Sequence, residues 1–346
     1  MNVEEAIIRR EATIMDALTQ LNKTQTLTLF VVDAARKVVG ALTDGDIRRG
    51  LINGASLQTE VYSICLKSFR YVDDANNAPK YISELRRLGI RLVPYLSAEG
   101  KILKLIDLQK VNGLLPVDAV IMAGGRGERL RPLTDTMPKP LLPLGEKPIV
   151  EYNIDRMLSY GIDNITISVR YLGELIKEYF EDGHAKGANI RYVDEDRPLG
   201  TLGAVSKIHH FTNDVVLVMN SDLFTNIDLE EFYVHFLESH ADMAVASIPY
   251  NITVPYAVMQ TSNGLVRAFE EKPTYTYYSN GGIYLIKRSI LEELKEGERC
   301  DATDLMQRLI DRGKRLTYFP IVGYWIDIGK PEDYKKAQEF IKFMKK

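Results

Sequence analysis

Apolar residues along this chain keep one rhythm up to about residue 115 and another after it. In the first part, Ile14, Ala17, Leu18 and Leu21 recur at helical spacing, so 14–21 is predicted as an amphipathic helix. Apolar runs at 28–32 and 38–42 flank the turn Asp33-Ala34-Ala35-Arg36 and read as strands, and 46–52 opens another helix. The order then returns as helix 78–88, strand 92–96, turn Ser97-Ala98-Glu99-Gly100 and strand 102–106. An internal repeat of about 55 to 60 residues is expected, each copy burying its apolar face against its twin. It divides the first part into 1–57 and 58–115. Asn112-Gly113 and Pro116 mark 109–116 as a linker.

From 117 onward strand and helix alternate. Strands are predicted at 117–123, 164–169, 190–193 and 215–219, and helices at 149–160, 172–180, 202–210 and 229–240. This alternation over 117–346 predicts an α/β domain with a mostly parallel, doubly wound sheet. Beyond Met243 the pattern turns strand-rich, with 243–248, 256–261, 265–270, 281–286 and 316–320. The stretch 331–344 closes as an amphipathic helix with Pro331 in its first turn.

Composition narrows the classes. A length of 346 residues calls for more than one domain. The net charge of −3, with no basic arm or tail, argues against nucleic-acid binding. Cys65 and Cys300 lie far apart without metal-ligand spacing and read as free thiols of a reducing compartment. The start, MNVEEAIIRREAT, lacks the apolar core of a signal peptide, and no apolar run reaches the roughly 18 residues of a membrane span. A cytoplasmic protein without membrane attachment is expected.

Candidate chemistry begins where the strand 117–123 runs into Gly124-Gly125-Arg126-Gly127-Glu128-Arg129, with Lys139 following between Pro138 and Pro140. Glycines let backbone N–H groups approach an anion, and Arg and Lys add charge, so this is a place to hold phosphates. A Rossmann fingerprint fails because Leu130 stands at its third glycine, and a Walker A loop is absent.

The stretch A-G-G-R-G-E-R-L-R-P-L-T with P-K-P-L-L-P resembles the signature of the nucleoside-diphosphate-sugar pyrophosphorylases, and the likeness covers 117–346. It implies attack of a sugar 1-phosphate on the α-phosphorus of a nucleoside triphosphate, with loss of pyrophosphate. A phosphomonoester is largely ionised near neutral pH, its second pKa being about 6, so no general base is needed. The five histidines (184, 209, 210, 235 and 240) accordingly read as surface or packing residues. Charge neutralisation and alignment are needed instead, which calls for Mg2+ held by carboxylates. By the resemblance, Arg129 and Lys139 are catalytic, and Ala123, Gly124, Gly125, Arg126 and Gly127 bind the nucleotide. Asp222, in V-M-N-S-D, and Asp327, in G-Y-W-I-D-I-G, match the metal aspartates.

Glu195-Asp196-Arg197-Pro198-Leu199-Gly200-Thr201 resembles the family's base-recognition turn, which assigns Glu195, Gly200 and Thr201 to the nucleotide. A carboxylate only accepts hydrogen bonds, and guanine offers two adjacent donors, N1–H and N2–H2. Uracil and thymine suit an amide better, so GTP is favoured. Glu271-Lys272-Pro273 and Asn280-Gly281-Gly282-Ile283-Tyr284 resemble the sugar-side motifs, and with Tyr256 they assign Tyr256, Glu271, Lys272 and Asn280 to the sugar. Ala257, where the family has Gly, and Lys330, where Thr is common, depart from the pattern. Trp325 is explained equally well by packing.

In the first part, Gly40-Ala41-Leu42-Thr43-Asp44-Gly45-Asp46 is similar to the G-h-x-T-x-x-D stretch of CBS domains, implying an N-terminal α+β CBS pair. Thr43 and Asp46 are then a possible adenine-nucleotide site, though Thr and Asp at that place more often merely cap the following helix. In the second copy the motif aligns as Lys101, Lys104 and Asp107 for Gly, Thr and Asp. A CBS pair fused to such a transferase resembles the glucosamine-1-phosphate guanylyltransferases of bacterial legionaminic acid synthesis. The substrates implied are GTP and glucosamine 1-phosphate, in a homo-oligomer with the CBS pair at its interface. Mannose-1-phosphate guanylyl transfer, uridylyl or thymidylyl transfer to a hexose 1-phosphate, and an inert nucleotide sensor are the alternatives.

Overall fold

Two hairpins with the same defect open the structure, a computed structural model that describes residues 3–23, 28–73 and 79–344. The chain separates into two units, Met1–Leu114 and Leu115–Lys346. In the first, β1 (Ile7–Arg9), α1 (Ile14–Leu21), β2 (Thr28–Val32), β3 (Val38–Thr43), α2 (Asp44–Ile52) and α3 (Val61–Ile64) precede α4 (Pro79–Arg87), β4 (Leu92–Leu96) and β5 (Ile102–Asp107). The β2–β3 pairing is irregular between Val31 and Val32, and β4–β5 between Tyr95 and Leu96. β1 lies parallel to β2, and Val72 bridges Tyr95 in the same sense.

These correspondences fix the repeat at 64 residues (92 − 28, and 102 − 38), longer than the expected interval. The register also corrects the second copy of the motif. Thr43 pairs with Thr28 and Asp107 with Leu92, so Asp107 stands at the place of Thr43 and Lys104 at the place of Gly40. Ile14, Leu29, Leu42, Ile47 and Val61 form one core, and Ile82, Leu85, Val93 and Ile106 another. Phe30, Val32, Leu92 and Leu96 join the twins. Each copy thus buries its apolar face against the other, as a unit too small for its own core must.

The second unit begins with β6 (Val117–Ala123) and the small hairpin β7 (Pro143–Leu144) and β8 (Lys147–Pro148). It continues through α5 (Ile149–Ser159), β9 (Asn164–Val169), α6 (Gly173–Phe180), β10 (Asn189–Asp194), α7 (Gly200–Gly203), β11 (Val215–Asn220), β12 (Leu223–Thr225) and α8 (Leu229–Glu238). Then come β13 (Met243–Thr253), β14 (Val258–Ser262), β15 (Leu265–Glu270), β16 (Thr274–Lys287), α9 (Arg288–Leu291), α10 (Ala302–Asp311), β17 (Leu316–Pro320), β18 (Trp325–Asp327) and α11 (Pro331–Met344).

Seven strands form one sheet in the order β10-β9-β6-β11-β16-β13-β17. Only β16 runs antiparallel to its neighbours. The alternation of side chains feeds two cores. Ile121, Leu217 and Met219 face α5, α6 and α8 with Val150, Ile154, Ile176 and Phe232. Val120, Val216 and Val218 face the other layer, with Leu202, Ile290, Leu305 and Leu309. Central strands buried on both faces read as near-continuous apolar runs, as 215–219 does and as 117–123 does apart from Asp118, which accepts from Asn213.

Some expectations shift. The helix expected over 202–210 is one α-turn, Gly200–Gly203, followed by a 3-10 turn at Ala204–Lys207. Gly203 packs too closely on Glu298 for any side chain, since a Cβ there would lie 2.7 Å from the Glu298 carbonyl oxygen. The strand expected over 281–286 extends from Thr274 to Lys287. With β13 it leaves the sheet beyond Ser247 and Asn280 as a ribbon, tipped by the β14–β15 hairpin. Tyr250 pairs with Tyr277 and Ile252 with Tyr275, so one face of the ribbon is apolar, and Tyr250 and Tyr277 are 62% and 59% exposed. The unanticipated α10 is opened by a reciprocal capping pair, Asp301 and Asp304.

Candidate active site

The cleft lies at the carboxyl ends of β6, β9, β10 and β11, where open α/β sheets leave a crevice. It has a volume of about 860 Å3 and is lined by Ala123, Gly124, Gly125, Arg126, Gly127, Arg129, Lys139, Glu195, Gly200, Thr201 and Asp222, all singled out in the sequence. None of the histidines lines it.

Two glycines in the loop after β6 are there for space. A Cβ on Gly124 would lie 2.4 Å from Glu195 Oε1, so only glycine lets that carboxylate sit beneath the loop. Gly127 has φ +61°, and a Cβ there would meet Lys139 Cβ and Thr134 Cγ2 at 3.0 Å. The loop is stapled from outside, because Tyr171 Oη donates to the Thr134 and Asp135 carbonyls at 3.1 and 3.2 Å. Arg126 lies over the Tyr171 ring at 5.8 Å.

Lys139 follows the extended Pro138 in a 3-10 turn and is buried, with its ammonium paired to Asp222 Oδ2. Asp222 stands between β11 and β12. Antiparallel pairing of β12 with β18 sets Asp327 opposite Leu223, and Ile328 N donates to the Asp222 carbonyl at 3.0 Å. This two-stranded clip is what brings the two aspartates together from distant parts of the sequence. Leu130, Leu142, Phe224, Ile328, Tyr334 and Ile341 form a core behind it, so α11 braces the clip against the loop. Asp327, unlike Asp222, is not among the residues lining the cleft, and surrounding protein and then the charge of Asp222 hold its pKa above the ordinary carboxylate value. Lys139 and Arg129 pull the other way.

Among the described residues no group of three or more His, Cys, Asp or Glu side chains could hold a metal. Two crowded carboxylates are, however, a hard oxygen donor set. It suits a cation that completes its shell with phosphate oxygens and water, as Mg2+ does.

At the other end of the cleft, Glu195 is buried. Its Oε1 accepts from Ser168 Oγ and its Oε2 from Leu199 N at 3.3 Å. A carboxylate has about four acceptor sites, so two hydrogen bonds leave capacity for a ligand. Thr201 N donates to Asp301 Oδ1 at 3.2 Å, fixing the Gly200 turn to the cap of α10.

The four sugar-side candidates do not line this cleft. Tyr256 is 75% exposed near the ribbon tip, and Glu271 and Lys272 are exposed in the turn after β15. Asn280 lies at the ribbon root, where its Oδ1 accepts from Gly282 N at 2.9 Å, and Gly282 packs on the cleft residue Asn220. In the first unit, Thr43 and Asp46 bond each other as a reciprocal cap of α2, and Asp46 also pairs with Arg49. At the equivalent place Asp107 Oδ1 accepts from Gln109 N at 3.0 Å, in a turn that no helix follows, and Lys104 lies over the Tyr95 ring.

Sequence reasoning missed Ser168, Arg170, Asn220 and Asp301. Asp301 was legible, since Asp301-x-x-Asp304 before Leu305 and Leu309 is a cap before a helical stripe. The others follow or end strands, and only the fold shows which way they face.

A doubly wound sheet with a glycine- and arginine-rich loop and a partly buried lysine–aspartate pair at its carboxyl edge defines an α/β protein with a cationic cleft. The profile of the nucleotidyl transferase family matches residues 118–343, and the chain belongs to that family. It is 33% identical over 227 residues to the D-glycero-alpha-D-manno-heptose 1-phosphate guanylyltransferase of Aneurinibacillus thermoaerophilus, covering 64% of this chain and 97% of that one. It is 32% identical over 239 residues to the UTP–glucose-1-phosphate uridylyltransferase of Synechocystis sp., covering 63% of this chain and 62% of that one. It is 30% identical over 227 residues to the mannose-1-phosphate guanylyltransferase of Mycobacterium tuberculosis, covering 64% and 63%. The match thus spans less than two thirds of the last two enzymes. A Bacillus anthracis structure assigned as a glucose-1-phosphate thymidylyltransferase, in complex with sucrose, superposes with a TM-score of 0.52 at 26% identity, covering 65% of this chain and 94% of that one. Family membership makes the chain a nucleotidyltransferase. Among the described residues, no helix is long and apolar enough to cross a membrane.

Proposed function

We propose that this chain transfers GMP from GTP to a sugar 1-phosphate, releasing pyrophosphate. The observation that carries this is the cleft itself: the Gly124–Arg129 loop, Lys139 and Asp222 line one cavity with Glu195. The loop amides and Arg129 grip the triphosphate. Lys139 meets negative charge that grows on the α-phosphate and the leaving pyrophosphate, where a fixed cation lowers the barrier most. The acceptor phosphate attacks as an anion and needs no base, in keeping with a cleft that has no histidine in its lining. Asp222 and Asp327 would hold Mg2+, which when bound neutralises and aligns the phosphates.

Glu195 supports guanine over uracil, as do the two guanylyltransferase relatives. The uridylyltransferase relative supports the alternative of UTP. For the acceptor, glucosamine 1-phosphate rests on the combination of this transferase with an N-terminal CBS pair. The repeat of the first unit, with its matched hairpins, supports that pair. Mannose 1-phosphate is the next acceptor in order. Tyr256, Glu271, Lys272 and Asn280 serve the sugar in this reading, and Thr43 and Asp46 a regulatory nucleotide. The working form is a homo-oligomer joined through the CBS pair. The deciding experiment is pyrophosphate release from a panel of nucleoside triphosphates against sugar 1-phosphates. Release from GTP only with a hexose or hexosamine 1-phosphate is expected, and release from no pair would overturn the reading.

A further inference from the structure

Arg170 is a charged side chain of the cleft with no hydrogen-bond or ion-pair partner for its guanidinium among the described residues. Arg170 follows directly on β9 and lines the cleft with Gly124, Gly125 and Glu195. Its Nε is buried without a hydrogen-bond partner, and among the described residues its guanidinium makes no ion pair. No hydrogen bond or ion pair joins it to Glu195, whose carboxylate accepts from Ser168 and Leu199 and keeps acceptor sites for a ligand. A guanidinium is always charged and only donates. The residue as a whole is only partly buried, so the terminal nitrogens of the guanidinium are left to donate to a ligand in the cleft.

The position of Arg170 says which part of the ligand. Glu195 N donates to the Val169 carbonyl at 2.9 Å, so Glu195 is held beside the residue that precedes Arg170. The two stand at the ends of neighbouring strands, β10 and β9, while Asp222 and its partner Lys139 sit beyond β11. We propose that Arg170 reads the base, donating to O6 and N7 of guanine while Glu195 accepts from N1–H and N2–H2. This rests on the assignment of Glu195 to the base edge. On guanine, O6 lies between N1 and N7, so a carboxylate on N1–H places its neighbour opposite O6. Arginine on O6 and N7 is a matched bidentate pair, and adenine offers a donor where that pair needs an acceptor.

The test is nucleotide binding by the full-length protein without acceptor, using GTP, 7-deaza-GTP, ITP, ATP and UTP. The wild type is expected to bind GTP roughly 3- to 10-fold tighter than 7-deaza-GTP, as one contact of a bidentate pair allows. In Arg170→Ala that preference falls to about one, while the penalty for ITP, which reads Glu195, persists. Arg170→Lys keeps the charge without the fork and also fails to restore the preference. Equal losses for GTP, 7-deaza-GTP and UTP, or full rescue by Arg170→Lys, would assign the side chain to a phosphate and overturn the proposal. A wild type that binds UTP as well as GTP would remove the guanine assignment itself. A preserved ITP penalty with an unchanged 7-deaza ratio in Arg170→Ala would remove only the role of Arg170.

Discussion

Lys139 and Asp222 form a partly buried ion pair across 83 residues of sequence, with side chains 11% and 23% exposed. Lys139→Ala removes the cation that the proposed reaction assigns to the phosphates, and Asp222→Asn removes a charge while keeping the shape. Each is expected to lower turnover by about 100-fold, the scale for losing one transition-state charge stabiliser. Steady-state pyrophosphate release measures this, and a near-wild-type rate in either variant refutes the placement of the chemistry here.

Gly124 and Glu195 share one volume. Gly124→Ala would drive its methyl into the carboxylate, 2.4 Å from Oε1, and displace the loop or Glu195. Nucleotide affinity is expected to drop by at least about 10-fold while the melting temperature changes little, because the clash lies at a cleft edge and not in the core. Titration calorimetry with GTP and a thermal melt separate the two effects.

Glu195→Gln is a milder change at the same place. An amide donates as well as accepts, so it suits the alternating donor and acceptor edge of uracil or thymine. Selectivity is expected to move from GTP toward UTP and dTTP. Competition between the triphosphates in the pyrophosphate assay reads the ratio, and an unmoved ratio takes Glu195 off the base edge.

The strands and the phosphate loop were legible because their signals are local. Val117–Ala123 is apolar except for Asp118, and Gly124–Arg129 carries its glycines and cations side by side. What escaped depends on pairing. The β12–β18 clip is only three residues wide on each side, too short for any periodicity, and it is what joins Asp222 to Asp327. The repeat was seen but misaligned. A T-x-x-D pattern was matched by side-chain likeness, whereas the pairing register of Thr43 and Asp107 decides equivalence. Arg170 looks like any polar residue after a strand until its missing partner is known.

Asp242 ties three strand ends, accepting from Lys287 Nζ at 2.8 Å and Arg315 N at 2.9 Å next to the start of β13. Partial burial is the largest influence on its carboxyl and works upward. The bonds from Lys287 and Arg315 outweigh it and leave the pKa below 3.8. A carboxyl depressed in the folded state stabilises the fold above its unfolded value, and that stability is lost as pH falls through the folded value. Asp242→Asn is therefore expected to cost about 1 kcal/mol near neutral pH. Urea unfolding should show the gap between variant and wild type closing below the ordinary aspartate value, roughly pH 3.9. A gap that persists at lower pH would mean the loss comes from packing.

The two units have separate cores, with Leu29, Leu42 and Ile82 in one and Ile121, Leu217 and Phe232 in the other. A chain of residues 115–346 is therefore expected to fold and to retain pyrophosphate release within a few-fold of the full protein, because every residue assigned to the phosphates lies in it. Light scattering should show a lower oligomeric state for this chain if the first unit joins the copies. An unchanged number of copies would move the interface to the second unit. There, the uncovered pairs Tyr250–Tyr277 and Ile252–Tyr275 are the first surface to mutate, since single large apolar patches on a lone protein are rarely left so exposed.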